Sequence, residues 1–443
     1  MYKNLKHYRH TIHLYLDEIW KIGRNNRKAR TSMYHWLSIQ LNIPLEQTHA
    51  SMFNRNQCKK AIKILKNKYI QLYGHDIPYK RKEKINMKIS TNLLQDMVSK
   101  AIKGAGNNKL IPITSLIGIE ILEGKLILKT TDGSNHLYIT EKLEGDYSNF
   151  YSIVNADMFS KLVSKTTSEY IELNNNESYL EFVGNGSYKL EIPVNADGDI
   201  IKFPQFNIRE DIAPQQISIS GLKNMLTSAK VSVAKTMEVP CLTGYYISDK
   251  VVSTNREMIC LIEDTISKEP ILVSSPMAEL LQLFEGADLA FVKDENKLMF
   301  ETENVILFGK ELEGKDIYPV AAVENLAKSN YDNLIVVNKQ DLLIVLDRMA
   351  LFVTDYDKNG VFLKFTSDGL EIRSQKYNAV ELLAIKSETP IFEFSCLADI
   401  EMLKSQVGAV IGDIVNIYYG QPTSLKIKEG NTTMVLSLMQ NNR

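Results

Sequence analysis

Histidines, cysteines and paired carboxylates are the side chains that most often move protons, hold metals or attack carbonyl carbons. Beyond residue 86 they are sparse. His136 is the only histidine there, and the chain's four cysteines (Cys58, Cys241, Cys260, Cys396) lie far apart with no CxxC pair. Such thiols read as reduced, mostly buried and cytoplasmic, not as a disulfide framework. No GxxxxGK[ST], HExxH or GxSxG run is present. A TTDG stretch ending at Gly133 offers Asp132 as a catalytic carboxylate, yet its place between alternating apolar runs reads as a hairpin end. The chain is therefore expected not to be an enzyme and to need no cofactor. The chemistry it does offer is attraction to an acidic polymer. Residues 1–86 hold 18 Lys and Arg against 5 Asp and Glu, while the remaining residues hold 34 against 48.

The elements that carry these residues divide the same way. At 443 residues the chain should form three or four compact units. No run of eighteen uncharged apolar residues exists, so no membrane span is expected, and MYKNLKHYRH lacks the apolar core of a signal peptide. Six of the seven histidines and both tryptophans, Trp20 and Trp36, fall before residue 87. This break in composition places a small basic all-α module at 1–84, with the polar run from Tyr79 to Asn86 as linker. Three helices are expected in it, from Ile12, Thr31 and Asn56, with Thr31 and Asn56 as caps and Gly23 and Gly74 as stops.

The body is a triplication. Strand-then-helix openings begin at Met87, Ile217 and Leu334, each passing through a polar cap (Ser90 or Thr91, Ser220, Asn338) into an apolar-periodic helix. Hairpin strands follow, with turn pairs Glu123-Gly124, Ser248-Asp249 and Asp368-Gly369. A second strand–helix unit then starts at Ser152, Ile271 and Phe392, and further strands close each copy. The fold class is α+β, two helices on an antiparallel sheet repeated three times, with domains at 87–210, 214–328 and 332–443.

With these landmarks in place, residues 87–443 resemble the beta subunit of bacterial DNA polymerase III, a sliding clamp. The resemblance rests on Met87-Lys88-Ile89, Lys109–Gly133, Gly198–Phe206, Val251–Glu263 and Thr433–Gln440, taken in order and spacing. It implies a homodimer of two crescents closing a ring around double-stranded DNA, with helices lining the hole. It also implies docking of a replicative DNA polymerase and a clamp loader, and a cytoplasmic setting. Phosphate attraction asks for cations on the inner helices, and the expected helices supply Lys100, Lys103, Lys161, Lys165, Lys223, Lys230, Lys235, Lys339, Arg348 and Lys404. Lys109 lies near a loop position where the family has a DNA-touching arginine.

The resemblance further implies a hydrophobic cleft between the second and third domains for partner peptides. By position it would use Leu242, Thr254, Ile259, Pro319, Val323, Met434, Leu436 and Leu438. Alternation would put the last three on one face of the final strand, with Val435 and Ser437 on the other. Asn255-Arg256-Glu257 and Ser437 depart from the family pattern, which suggests an altered peptide preference. Leu16 to Leu65 is similar to the C-terminal half of small phage proteins containing a zinc finger, through His49, Met52-Phe53 and Cys58, and points to a phage or phage-derived origin. The zinc-binding cysteine pairs of that family are absent. Ligand spacing supports a site from His49 and Cys58 with His7, His10 or His13 poorly, so no metal is expected. The alternative function is a clamp-fold decoy or regulator of a host clamp, bound to DNA through the basic module.

Overall fold

The computed structural model describes residues 3–20, 26–74, 86–144, 147, 149–176, 178–195, 198–204, 207–209, 211–354, 358–376, 379–387 and 390–440. The N-terminal module is three helices, α1 (Lys3–Trp20), α2 (Asn26–Leu41) and α3 (Arg55–Tyr73), with two single 3-10 turns before α3. Ile12, Leu16, Leu37, Phe53, Ala61 and Leu65 meet in a core with no solvent exposure. On α3 the buried set is Cys58, Ala61, Leu65 and Tyr69, a three-to-four residue spacing that defines one face.

A capping box starts α3. The Asn54 side chain accepts from the Asn56 and Gln57 amides at 3.0 Å, and the Gln57 side chain accepts from the Asn54 amide at 2.8 Å. Asn54 is thus the cap, and Asn56 stands one step inside the helix. Thr31 lies within α2, because the helix-forming run from Asn26 extends it upstream. Gly74 ends α3 as expected, at φ 77°, with its amide on the Ile70 carbonyl. Gly23 and linker residues 79–85 lie outside the described residues, whereas Asn86 already belongs to the first strand.

The body repeats one order of elements three times. The first copy is β1 (Asn86–Ser90), α4 (Thr91–Ala101), β2 (Leu116–Leu122), β3 (Lys125–Thr131), β4 (Asn135–Lys142), β5 (Phe150–Asn155), α5 (Ala156–Ser164), β6 (Tyr170–Asn175), β7 (Tyr179–Val183) and β8 (Ser187–Glu191). The second is β9 (Gln215–Ser218), α6 (Ile219–Ala229), β10 (Gly244–Ile247), β11 (Val251–Thr254), β12 (Met258–Ile262), β13 (Ile271–Ser274), α7 (Ser275–Leu281), β14 (Asp288–Asp294), β15 (Lys297–Glu301) and β16 (Val305–Lys310). A short helix, α8 (Val320–Lys328), follows it. The third copy is β17 (Asn333–Asn338), α9 (Lys339–Ala350), β18 (Gly360–Thr366), β19 (Gly369–Ser374), β20 (Val380–Leu383), β21 (Phe394–Asp399), α10 (Ile400–Ala409), β22 (Ile414–Tyr419), β23 (Ser424–Glu429) and β24 (Thr432–Ser437).

Local chemistry explains the repeated strand-to-helix step. Asn155, Ser218, Ser274, Asn338 and Asp399 each end a strand, and each side chain accepts the amide three residues on. Ser218, not Ser220, caps α6, since only the former can reach the Gly221 amide. At α4 the cap position is Ser90, without a side-chain bond. Glu123 and Gly124 both take positive φ, as a two-residue hairpin requires. The second hairpin turns through Ser248, Asp249 and Lys250, and the third through Ser367 and Asp368, so that Gly369 opens β19.

Two compact units result. One comprises residues 1–102, 115–128 and 141–204, and the other 103–114, 129–140 and 205–443. In the first, β1-β6-β7-β8 form an antiparallel sheet, β2 pairs with β5, and α4 packs on α5. In the second, β13-β10-β11-β12-β24-β23-β22-β17 form one eight-stranded sheet, β20-β19-β18-β21 a four-stranded one, and β4-β16-β15-β14-β9 a further antiparallel series. Helix α10 packs against α6 and α9. The second and third copies therefore fold as one body, joined where β12 meets β24.

Candidate nucleic-acid face and partner cleft

The structure places the expected phosphate-facing cations on or beside a helix, apart from Lys109 and Lys235, which lie in exposed loops. Their electrostatic state differs from the expectation of ready positive charge. In the first unit, Lys100 pairs with Asp96 at 3.0 Å and Lys161 with Asp157 at 2.7 Å, each one turn back on its own helix. In the second, Lys230 meets Glu279 at 3.1 Å, Lys404 meets Asp347, and Arg348 grips Glu381 with two nitrogens. The Arg348 bond holds the Glu381 carboxyl below its ordinary range. Lys223 donates to the Phe284 carbonyl at 3.0 Å, and Lys339 donates to the Val410 carbonyl. Lys103, Lys109, Lys165 and Lys235 are exposed. Exposed pairs of this kind are worth about 0–1 kcal/mol each, so a phosphate can displace the acid, but only in competition with it.

The expected cleft lies within the second unit and assembles only in part. Leu242, Ile259 and Val323 join one apolar cluster with Cys241, Val252, Leu261, Tyr318, Ala327 and Val435. Register decides which residues of β24 take part. Ile259 sits opposite Val435, and Cys260 opposite Met434, so Val435 shares the Ile259 face and Met434 does not. Met434 instead lines a small hollow with Ser228, Ala409 and Val410, on the side of α6 and α10. By alternation Leu436 goes with Met434. The expected grouping of Met434, Leu436 and Leu438 with Leu242 is thus corrected by one residue along the strand.

Thr254 is buried and hydrogen-bonds the Met258 carbonyl at 2.9 Å, closing the turn before β12, which is a structural role. Pro319 caps α8 and is half-buried, as is Leu438. Helix α8 was not anticipated, although a proline directly before VAAVENLAK is the usual signal for a helix start. It covers the cluster with Val323 and Ala327. The Lys250–Glu324 ion pair ties α8 to the β10–β11 turn, and the hydrogen bond from Lys250 holds the Glu324 carboxyl below its ordinary range. Beneath α8, Tyr318 donates toward the Gly244 and Val252 carbonyls at 3.2 and 3.4 Å, and burial pushes its phenol well above the usual tyrosine range. The only open surface in the expected set is thus at Pro319 and Leu438.

In the N-terminal module the potential metal ligands Cys58 and His49 make other contacts. Cys58 is fully buried in the core and points its thiol at the Phe53 carbonyl, and burial raises its thiol above the ordinary range. The His49 ring bonds Ser51 at 2.6 Å, stacks on Tyr34 and lies edge-on to His13 at 5.9 Å.

Comparison with known proteins follows the same partition. Residues 85–204 match a family model described as the N-terminal domain of the DNA polymerase III beta subunit. Residues 2–68 match one described as a zinc-finger-containing domain. The beta sliding clamp of Halalkalibacterium halodurans is 23% identical over 308 residues, which span 64% of this chain and 78% of the relative. The DNA polymerase sliding clamp of Bacillus subtilis aligns at a TM-score of 0.71 with 18% identity, over 81% of this chain and 100% of that one. The DNA polymerase III beta subunit of Thermotoga maritima aligns at 0.69 with 15% identity, over 80% and 99%.

The body therefore has the α+β sliding-clamp fold, preceded by a helical region. The described residues do not fit the zinc implied by the description of the family matched at residues 2–68. Among the described residues no group of three or more His, Cys, Asp or Glu is placed to hold a metal ion. Nor, among those residues, is any helix long and apolar enough to cross a membrane.

Proposed function

We propose that residues 87–443 form a sliding clamp that acts as a processivity factor, two copies closing a six-domain ring around duplex DNA. The domains are 87–210, 214–328 and 332–443. The observation that carries this reading is the threefold return of one β-α-βββ-β-α-βββ order, on a fold shared with solved clamps over 81% of the chain. A closed ring stays on DNA by topological linkage. It needs only weak, replaceable contacts with phosphate, and lysines already paired with carboxylates supply that kind of contact. No side chain has a catalytic task in this reading. Polymerase and loader would dock by a short peptide at the apolar cluster around Leu242, Ile259, Val323 and Val435, entering beside Pro319.

The test is retention of the purified chain on nicked circular DNA after treatment with its cognate clamp loader, against the same DNA linearised. Retention on the circle with loss from linear ends is expected. Equal, salt-sensitive binding to both forms would replace the clamp reading with that of a decoy or regulator. That second reading draws support from the same ion-paired helices, which leave the N-terminal module as the stronger source of DNA affinity.

A further inference from the structure

We propose that the solvent face of α3 binds the phosphate backbone of duplex DNA, as a site separate from any ring. Every exposed charge on this helix has one sign. Its buried side is Cys58, Ala61, Leu65 and Tyr69, which leaves Arg55, Lys59, Lys60, Lys63 and Lys66 on the exposed side. Lys59 and Lys68 each place the ammonium over an aromatic ring, of Tyr8 and Trp36, but Lys59 is exposed and Lys68 half-buried. Between Glu46 and Asp76 the chain has no acidic residue at all.

A helix that serves only to pack would not be built this way. Arg55, Lys59 and Lys63 follow one another at four-residue intervals, where like charges destabilise a helix by roughly 0.2–0.5 kcal/mol per pair. One glutamate would relieve this, and the clamp helices use that remedy at Asp96–Lys100 and Asp157–Lys161. Residues at that interval rise about 6 Å per step, which forms a row of point charges suited to a phosphate chain. Lysine reads phosphate as a charge and not base identity, so binding should be independent of sequence. Protein partners, by contrast, are held by aromatic and apolar anchors at the centre of a surface. Here the exposed large apolar side chains of α3, Ile70, Leu72 and Tyr73, are confined to its last turn, while Ile62 and Ile64 are partly buried against the core.

The site is independent of the clamp reading, and the test keeps the two apart. Anisotropy of a labelled linear duplex of about 30 base pairs, with no loader, is measured for the full chain across a salt series. Linear DNA with free ends retains no ring, so the signal reports direct attachment. The variant Lys59→Gln/Lys60→Gln/Lys63→Gln changes only exposed side chains. Its affinity should fall at least roughly tenfold at low salt, and the salt slope should flatten by about 2–3. The variant Lys59→Arg/Lys60→Arg/Lys63→Arg should bind as the parent does. An unchanged slope in the glutamine variant would overturn the site. So would loss of binding in the arginine variant, or competition by polyglutamate as effective as by unlabelled duplex, since an acidic protein would then be the fitting partner. Matching far-UV circular dichroism of all three proteins is the check on folding.

Discussion

Helices α3 and α5 start from similar plans and treat their lysines in opposite ways. Each is amphipathic, each is opened by an asparagine cap, and each turns lysine to solvent. On α5, Asp157 in the first turn takes Lys161 at 2.7 Å. On α3 the first turn holds Arg55 and no acid, and nothing acidic follows for the rest of the helix. DNA approaching α5 must exchange one anion for another, which favours brief contacts. DNA approaching α3 meets a helix whose own sequence offers its lysines no carboxylate. Fast contacts suit the clamp fold of the body, and lasting ones suit an anchor.

The largest effect that would test this contrast is loss of the module itself. Phe53→Ala removes a side chain with no solvent exposure from the core under α3 and should cost about 3–5 kcal/mol. Urea unfolding followed by circular dichroism should show the module melting early. Affinity for linear duplex should fall with it, and affinity that survives would mean that the lysines act without the helix. Next comes the opposite manipulation. Asp96→Asn, Asp157→Asn and Asp347→Asn together release Lys100, Lys161 and Lys404, and should raise affinity for linear duplex on the order of tenfold while steepening its salt slope. No change would mean that those lysines never face phosphate.

A smaller effect is expected from Asn54→Ala, which deletes the capping box of α3 at a cost of about 1 kcal/mol, read in the same unfolding experiment. The smallest is a pH effect on the stability of the body. His136, on β4, is buried, and burial holds its pKa below the ordinary value of 6.5 against the opposing pull of Asp132. The unfolded chain therefore takes up the proton first. Stability from this residue is complete above about pH 6.5 and declines as pH falls below it. His136→Asn should remove that step from the stability profile of the body.

Much of this fold could be read before any coordinates, because its signals are local. A strand that alternates, a polar cap and an apolar-periodic helix recur at Met87, Ile217 and Leu334, and each stands where expected. The failures share a different origin. Serines at 218 and 220 look equally suited to cap α6, and only the reach to the Gly221 amide separates them. Alternation tells which residues of β24 share a face, but pairing with β12 decides which face meets Leu242. The state of the lysines was hidden for a similar reason. Lys223 finds a carbonyl 61 residues away and Arg348 a carboxylate 33 residues away, separations at which sequence spacing carries no information. The boundary between the second and third copies is visible in the repeat, whereas their fusion into one sheet depends on a pairing across that boundary.

That pairing also has a consequence during synthesis. Strand β12, Met-Ile-Cys-Leu-Ile, is buried at every position, and its outer edge is closed only by β24, about 170 residues further along the chain. At roughly 5–20 residues per second a ribosome needs about 10–35 s to make that interval. Through that time an apolar strand keeps an unpaired backbone edge on the nascent chain, able to pair with any neighbouring strand before its own partner exists.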